Sequence, residues 1–190
     1  MARPRSEDKR VALLEAATES VAARGLGAST AQVAKLAGVA EGTLFRYFAT
    51  KDELFNELYL HLQHSLCTAM MKNYQASAPL KERARAVWDG RIDWALAHPQ
   101  ANRTMTQLSV SEVLTPKTRA TAARLFPEIE GISEVCVADS VFAERPNAFA
   151  DAIFAALADV TIGFATREPK KAKAYKASGF DVLWRALTKA

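Results

Sequence analysis

Residues 29–48, STAQVAKLAGVAEGTLFRYF, hold two short helical patterns on either side of Gly38. Ser29-Thr30-Ala31-Gln32 is a capping-box pattern, in which the Ser hydroxyl accepts from the N3 amide and the Gln side chain reaches back. A helix is therefore expected to start there and run to about Leu36, with Gly38 ending it. A second short helix is expected over residues 41–48. Two short helices that cross steeply need a small residue where their backbones approach, a glycine able to take positive φ in the turn, and apolar residues pinning the pair to a core. Ala34, Gly38, and the trio Val33, Val39 and Leu44 fill those roles. Ala-x-x-x-Gly alone occurs in many helices; together with a second capping box downstream and a basic arm in front it points to a helix-turn-helix.

Residues 6–24 read as a first helix with Val11, Leu14, Ala17 and Val21 on one face, stopped by Gly25. Thr50-Lys51-Asp52-Glu53 is the second capping box and opens a long helix through Leu54, Leu58, Leu62 and Leu66 to about Ala76. Pro79 suits the first turn of a helix reaching His98, and Pro99 marks the next boundary. Thr115-Pro116 opens a further segment that Pro127, lacking an amide donor, should kink or break after Phe126. Phe149, Ile153, Leu157, Val160 and Phe164 form one apolar side of a helix over residues 147–166. Residues 168–178, with Lys170, Lys171, Lys173 and Lys176, read as a basic linker or frayed helix. Phe180, Leu183, Trp184 and Leu187 then give a compact final amphipathic helix. Runs of β-branched residues with period two are absent, so the expected fold is all-α, with about nine helices.

The chain has 190 residues, 49% hydrophobic and 24% charged, which is ordinary globular composition and too apolar for a disordered chain. That length argues against a multi-domain enzyme. Glutamates interrupt the N-terminal stretch where a signal peptide needs an apolar run. The most apolar window, residues 149–165, is broken by Asp151 and Asp159, so no membrane partner is expected. Cys67 and Cys136 lack metal-type spacing, which fits a soluble protein of a reducing cytoplasm. The net charge of +4 is unevenly spread: +2 over residues 1–50, −3 over 51–166 and +5 over 167–190. Basic ends around an acidic middle suit a basic module attached to a differently employed body.

Residues 11–60 resemble the DNA-binding domain of TetR-family transcriptional regulators. The resemblance rests on Ala-x-x-Ala-Gly-Val (residues 34–39), then Glu-Gly-Thr-Leu-Phe-x-x-Phe and Lys-Asp-Glu-Leu. It implies a three-helix DNA-binding domain over residues 1–50, with the helix-turn-helix at 29–48, and a larger helical regulatory and dimerisation domain over 51–190. The second short helix should lie in the major groove, its amides near phosphate and its exposed side chains near base edges. Glu41, Gly42, Thr43, Arg46 and Tyr47 are its surface positions. Gly42 lets the backbone come close, Thr43 bonds phosphate or touches a thymine methyl, Arg46 is bidentate to guanine or grips phosphate, and Tyr47 donates to phosphate. Glu41 either accepts from cytosine or favours the helix N-terminus. The resemblance adds Thr30 and Lys51 as phosphate grips, with Arg3 and Arg5 reaching along a groove. Three positions depart from the family pattern: Ala40 stands where Ser is usual and removes a cap, Phe45 replaces the commoner Tyr, and Ala31 is too short to read a base.

One helix-turn-helix offers about four base-reading side chains, so useful specificity calls for a two-fold dimer on a palindrome-like operator. By resemblance the interface is a four-helix one carrying Phe149, Ile153, Leu157, Val160, Phe164, Phe180, Leu183, Trp184 and Leu187. The resemblance also implies a small-molecule effector pocket in the body, for which Leu62, Trp88, Ile92 and Phe126 are expected as apolar lining and His61 or Arg91 as polar handles. The expected partners are thus double-stranded operator DNA, a small apolar or amphipathic effector that releases a repressor, and a second copy. No cofactor, metal or catalytic group is expected. Two readings compete: a DNA-binding protein of this fold without an effector, and a small helical enzyme holding a metal on His61 and His64, one turn apart.

Overall fold

Glycine sets where the first helices stop. Gly25 (φ 68°) and Gly38 (φ 67°) take the left-handed backbone that side chains with a Cβ rarely adopt. The computed structural model describes residues 6–138, 140, 143 and 147–187. Among these, ten α-helices and two single 3-10 turns make up the regular structure, as the all-α reading requires. The chain groups into two compact units, one running to His64 and returning for His98–Ala122, the other holding Ser65–Ala97 and everything from Ala123 on.

In the first unit, α1 (Glu7–Arg24) buries Leu13, Leu14, Ala17 and Val21. A 3-10 turn at Gly25–Gly27 leads to α2 (Thr30–Leu36) and α3 (Glu41–Tyr47). Val33, Ala34 and Leu44 are buried and hold that pair together. The long α4 (Lys51–Met71) begins in this unit, and α6 (Pro99–Ser109) packs on α1, where the Thr104 hydroxyl donates to the Thr18 carbonyl at 2.9 Å. Pro99 occupies the first turn of α6, where a missing amide costs nothing. Asn56 of α4 fastens the loop that follows α6: it donates to the Val113 carbonyl (2.9 Å) and accepts from the Thr115 amide (3.0 Å). Thr115 in turn caps α7 (Pro116–Ala123), its hydroxyl accepting from the Thr118 amide at 3.1 Å.

The second unit contains the end of α4, α5 (Leu80–Ala97), α8 (Pro127–Ala138), α9 (Asn147–Arg167) and α10 (Ala172–Leu187), with a 3-10 turn at Pro169–Lys171. Pro127 separates α7 from α8 as expected. Two boundaries differ from the sequence reading. The first is α4, which ends at Met71 rather than near Ala76. The second is the basic stretch: from Ala172 it is the first turns of α10 and not a linker, because Lys176 pairs with Asp93 (2.8 Å) while Tyr175 packs against Phe164 (ring centroids 5.4 Å apart). α9 is long and apolar enough to cross a membrane by length and composition alone, despite its two aspartates. It packs instead on α5, α8 and α10.

Trp88 fills the centre of this unit. Its indole N–H donates to the Lys176 carbonyl at 2.9 Å, and its ring meets Phe154 edge-on with centroids 5.7 Å apart. Close approach of α5 to α4 depends on Gly90: a Cβ there would lie 2.5 Å from the Met70 Cα and 2.6 Å from the Ala69 carbonyl oxygen, both main-chain atoms. Main chain cannot step aside as a side-chain tip does. Gly90→Ala is therefore expected to destabilise the fold by about 1–3 kcal/mol in urea denaturation; an unchanged midpoint would mean that α4 and α5 are not in backbone contact.

Candidate nucleic-acid interface and effector cavity

Two caps position the helix-turn-helix, and each is a variation on the expected box. Ser29 Oγ accepts the Gln32 amide at 3.3 Å, but the Gln32 side-chain oxygen takes the Arg24 guanidinium instead of reaching back. Thr50 Oγ1 accepts the Glu53 amide at 3.0 Å, and the Glu53 carboxylate accepts from Ala49 N at 2.7 Å, one residue upstream of the box position. α3 has no side-chain cap at Ala40.

Glu41 compensates in a way that spacing did not reveal. Its carboxylate accepts the Thr30 hydroxyl at 2.6 Å, which ties the first turn of α3 to the first turn of α2. A hydroxyl has one proton to give. For Thr30 to donate to a phosphate this bond must open. Gly42 and Arg46 are exposed and Thr43 half-buried, and a Cβ on Gly42 would meet open space. The Tyr47 hydroxyl accepts the Ser6 amide at 2.9 Å and keeps its own proton for another acceptor. Lys51 Nζ donates to the Leu26 carbonyl at 2.8 Å and sits over the Phe55 ring, with ammonium hydrogens to spare. Phe45, one of the three residues that depart from the family pattern, is exposed. Arg3 and Arg5 lie outside the described residues.

The residues expected to line an effector pocket are divided between the two units. His61 and Leu62 belong to the first unit, and Trp88, Arg91, Ile92 and Phe126 to the second. Trp88 and Ile92 have no exposed surface; they are core. Arg91 is buried and bonds Asp159 at 3.0 Å; burial pulls its guanidinium below the ordinary value and the Asp159 carboxylate draws it back. The His61 ring is pushed down by partial burial and by Arg10, so it is neutral at pH 7. Among the described residues no three His, Cys, Asp or Glu side chains converge to hold a metal ion.

The second unit does contain a cavity, of about 90 Å³, walled by α4, α5, α8, α9 and α10. Met70, Val87, Ile132, Val137, Phe154 and Leu183 are among its apolar lining, with Ser133, Cys136 and Asp151 as the polar side chains. None of the six expected residues is in that lining. The sequence signal that pointed here was the apolar spacing of Ile129, Ile132, Cys136 and Val137 on α8, a helix overshadowed by the aromatic residues of α5. Burial raises both thiols, Cys67 to about 11, so neither is a reactive thiolate.

The nine residues expected at a dimer surface also divide. Phe149, Ile153, Val160 and Phe164 leave a large part of their side chains exposed along one side of α9. Leu157, Trp184 and Leu187 are half-buried. Phe180 and Leu183 are buried within the chain's own core and have no surface to give a partner. Phe180 lies beneath the Arg85 guanidinium (4.9 Å) and stacks on Trp184 (6.1 Å), while Leu183 lines the cavity.

Comparison with known proteins agrees with the geometry of the first unit. Residues 13–58 match the family model for bacterial regulatory proteins of the tetR family. The chain is similar to the uncharacterized HTH-type transcriptional regulator YhgD of Bacillus subtilis, with 29% identity over 132 residues, 66% of this chain and 69% of that protein. In structure it is similar to a putative tetR family transcription regulator from Shewanella sp. PV-4, with a TM-score of 0.83 and 24% identity over 96% of this chain and 98% of the other. It is also similar to the regulator FadR from Bacillus subtilis in complex with stearoyl-CoA, with a TM-score of 0.71 and 18% identity over 93% and 98% of the two chains. The capped helix pair around Gly38 and the family match over those same residues agree: residues 13–58 form a DNA-binding domain of the tetR family of bacterial regulatory proteins, on a chain that shares its fold with solved regulators of that family.

Proposed function

We propose that the protein is a ligand-released repressor that binds a palindromic operator as a homodimer. Residues 1–50 act as the DNA-binding domain and 51–190 as the regulatory and dimerisation domain. The observation that carries the reading is the apolar cavity of the second unit in a chain whose first unit presents a helix-turn-helix. The complex of FadR with stearoyl-CoA gives a precedent for a ligand within this fold. Glu41, Gly42, Thr43, Arg46 and Tyr47 face the major groove, while Thr30 and Lys51 grip phosphates and Arg5 reaches along a groove. An effector that prefers the DNA-incompetent arrangement releases operator, and DNA weakens effector binding by the same factor.

Selection of bound sequences from random DNA with purified protein, at stated salt, tests the first half. Recovery of a two-fold-related site is expected; recovery without such symmetry sinks the dimeric reading. Arg46→Ala is expected to cost about 1–3 kcal/mol in operator binding, with relaxed preference at one base pair. Uniform weakening across sequences, with a shallower salt dependence, would make Arg46 a phosphate contact instead.

A further inference from the structure

We propose that the cavity of the second unit takes a small organic cation, an alkylammonium or arylammonium, in preference to a carboxylate or an acyl thioester. This rests on the reading of the cavity as the effector site and adds the charge of the ligand to it. Three observations carry it. First, the walls are apolar: Met70, Val87, Ile132, Phe154 and Leu183 from five different helices offer no partner to a polar tail. The volume, about 90 Å³, corresponds to about three waters in the liquid and is below the ~150 Å³ of an engineered apolar cavity that admits benzene. The fit is therefore a short alkyl tail or one face of a small ring.

Second, among the described residues the charged side chain in the lining is a carboxylate, Asp151 of α9, which is exposed. It accepts the Ser133 hydroxyl at 2.8 Å on one oxygen. A carboxylate has about four lone-pair sites, so this leaves it able to receive an ammonium N–H. Third, the remaining polar side chains have little to give an anion. The Ser133 proton is already committed to Asp151, and burial keeps the Cys136 thiol protonated, a weak donor. A carboxylate head would meet a like charge there, and a thioester would find no strong side-chain donor in the lining.

A positive charge acts on the same wall. Arg83 of α5 is not in the lining, yet its charge draws the Cys136 thiol downward, and its Nε is buried without a hydrogen-bond partner. Asp151, by contrast, is part of the lining itself.

Butylammonium, butanol and butyrate share a tail and differ in head group. They are to be titrated into the DNA-free protein and followed at the methyl resonance of Met70, which lines the cavity. Butylammonium is expected to bind about three- to fivefold more tightly than butanol, the range of an exposed ion pair, with butyrate the weakest. Asp151→Asn is expected to erase that preference and leave butanol unchanged, and Ala84→Leu, at a wall position, to weaken all three. Butyrate binding as tightly as butylammonium overturns the proposal in favour of Arg83 as anchor. Equal binding of butylammonium and butanol overturns it as well. In both cases the effector reading of the cavity survives. Absence of any Met70 shift overturns both. Butylammonium that binds as expected but fails to release operator overturns the effector reading while the charge preference stands.

Discussion

Val160→Glu is expected to leave the folded chain as stable as before, within about 0.5 kcal/mol, and to lower operator affinity by about a hundredfold or more. The two halves of that result come from one observation. Val160 is 58% exposed on α9, so the charge enters water in the isolated chain at little cost. It also sits in a stripe with Phe149, Ile153 and Phe164, spaced so that all four share one side of the helix. A contiguous apolar stripe of this kind on a folded domain marks an association surface. In a two-fold interface each substitution occurs twice, and two glutamates facing across an apolar seam combine desolvation with like-charge repulsion. A monomer engages one half-site and forfeits the gain from simultaneous binding at the second. Sedimentation of the variant, with operator binding by fluorescence anisotropy at fixed salt, checks both halves. A variant that stays dimeric and keeps its affinity would remove α9 from the interface.

Trp88→Ala is expected to destabilise the second unit by about 3–5 kcal/mol. The ring is fully buried, lies edge-on to Phe154, and its N–H donates to the Lys176 carbonyl. α10 approaches it over Gly179, where a Cβ would come within 2.7 Å of the indole. A glycine that close gives the surrounding helices little freedom to collapse into the space left behind, so the cavity term adds to the lost transfer energy. Trp88→Phe keeps most of the packing and gives up the hydrogen bond, for which about 1 kcal/mol is expected. Urea denaturation followed by circular dichroism separates the two. An alanine variant as stable as the parent would mean that Trp88 faces a ligand space after all.

That last contrast shows where reading the sequence stopped. A tryptophan on the apolar side of a helix looks the same whether it fills a core or lines a pocket. Trp88 and Ile92 were expected in the pocket and are core, while Ile132, Cys136 and Phe154 line the cavity. Phe180 and Phe164 obey the same helical spacing, yet one is buried under Arg85 and the other is left exposed. The Thr30–Glu41 bond joins residues eleven apart that were assigned separate tasks on DNA.

What the amino-acid sequence determined was local. Ser29 and Thr50 cap the helices that follow them, Gly38 takes positive φ in the turn, Pro127 separates two helices, and Val33, Ala34 and Leu44 pin the pair that carries Glu41 to Tyr47. The caps, the turn and the break depend on groups within a few residues of one another, and the pinning residues on the helical spacing of two adjacent segments, so the pattern of residue types is sufficient. Only the tertiary structure decided which apolar face meets which helix, and hence which side chains surround a cavity, fill a core or remain exposed on α9. Helical periodicity assigns a residue to a face of its own helix; what lies opposite that face is set by packing between segments far apart in the chain.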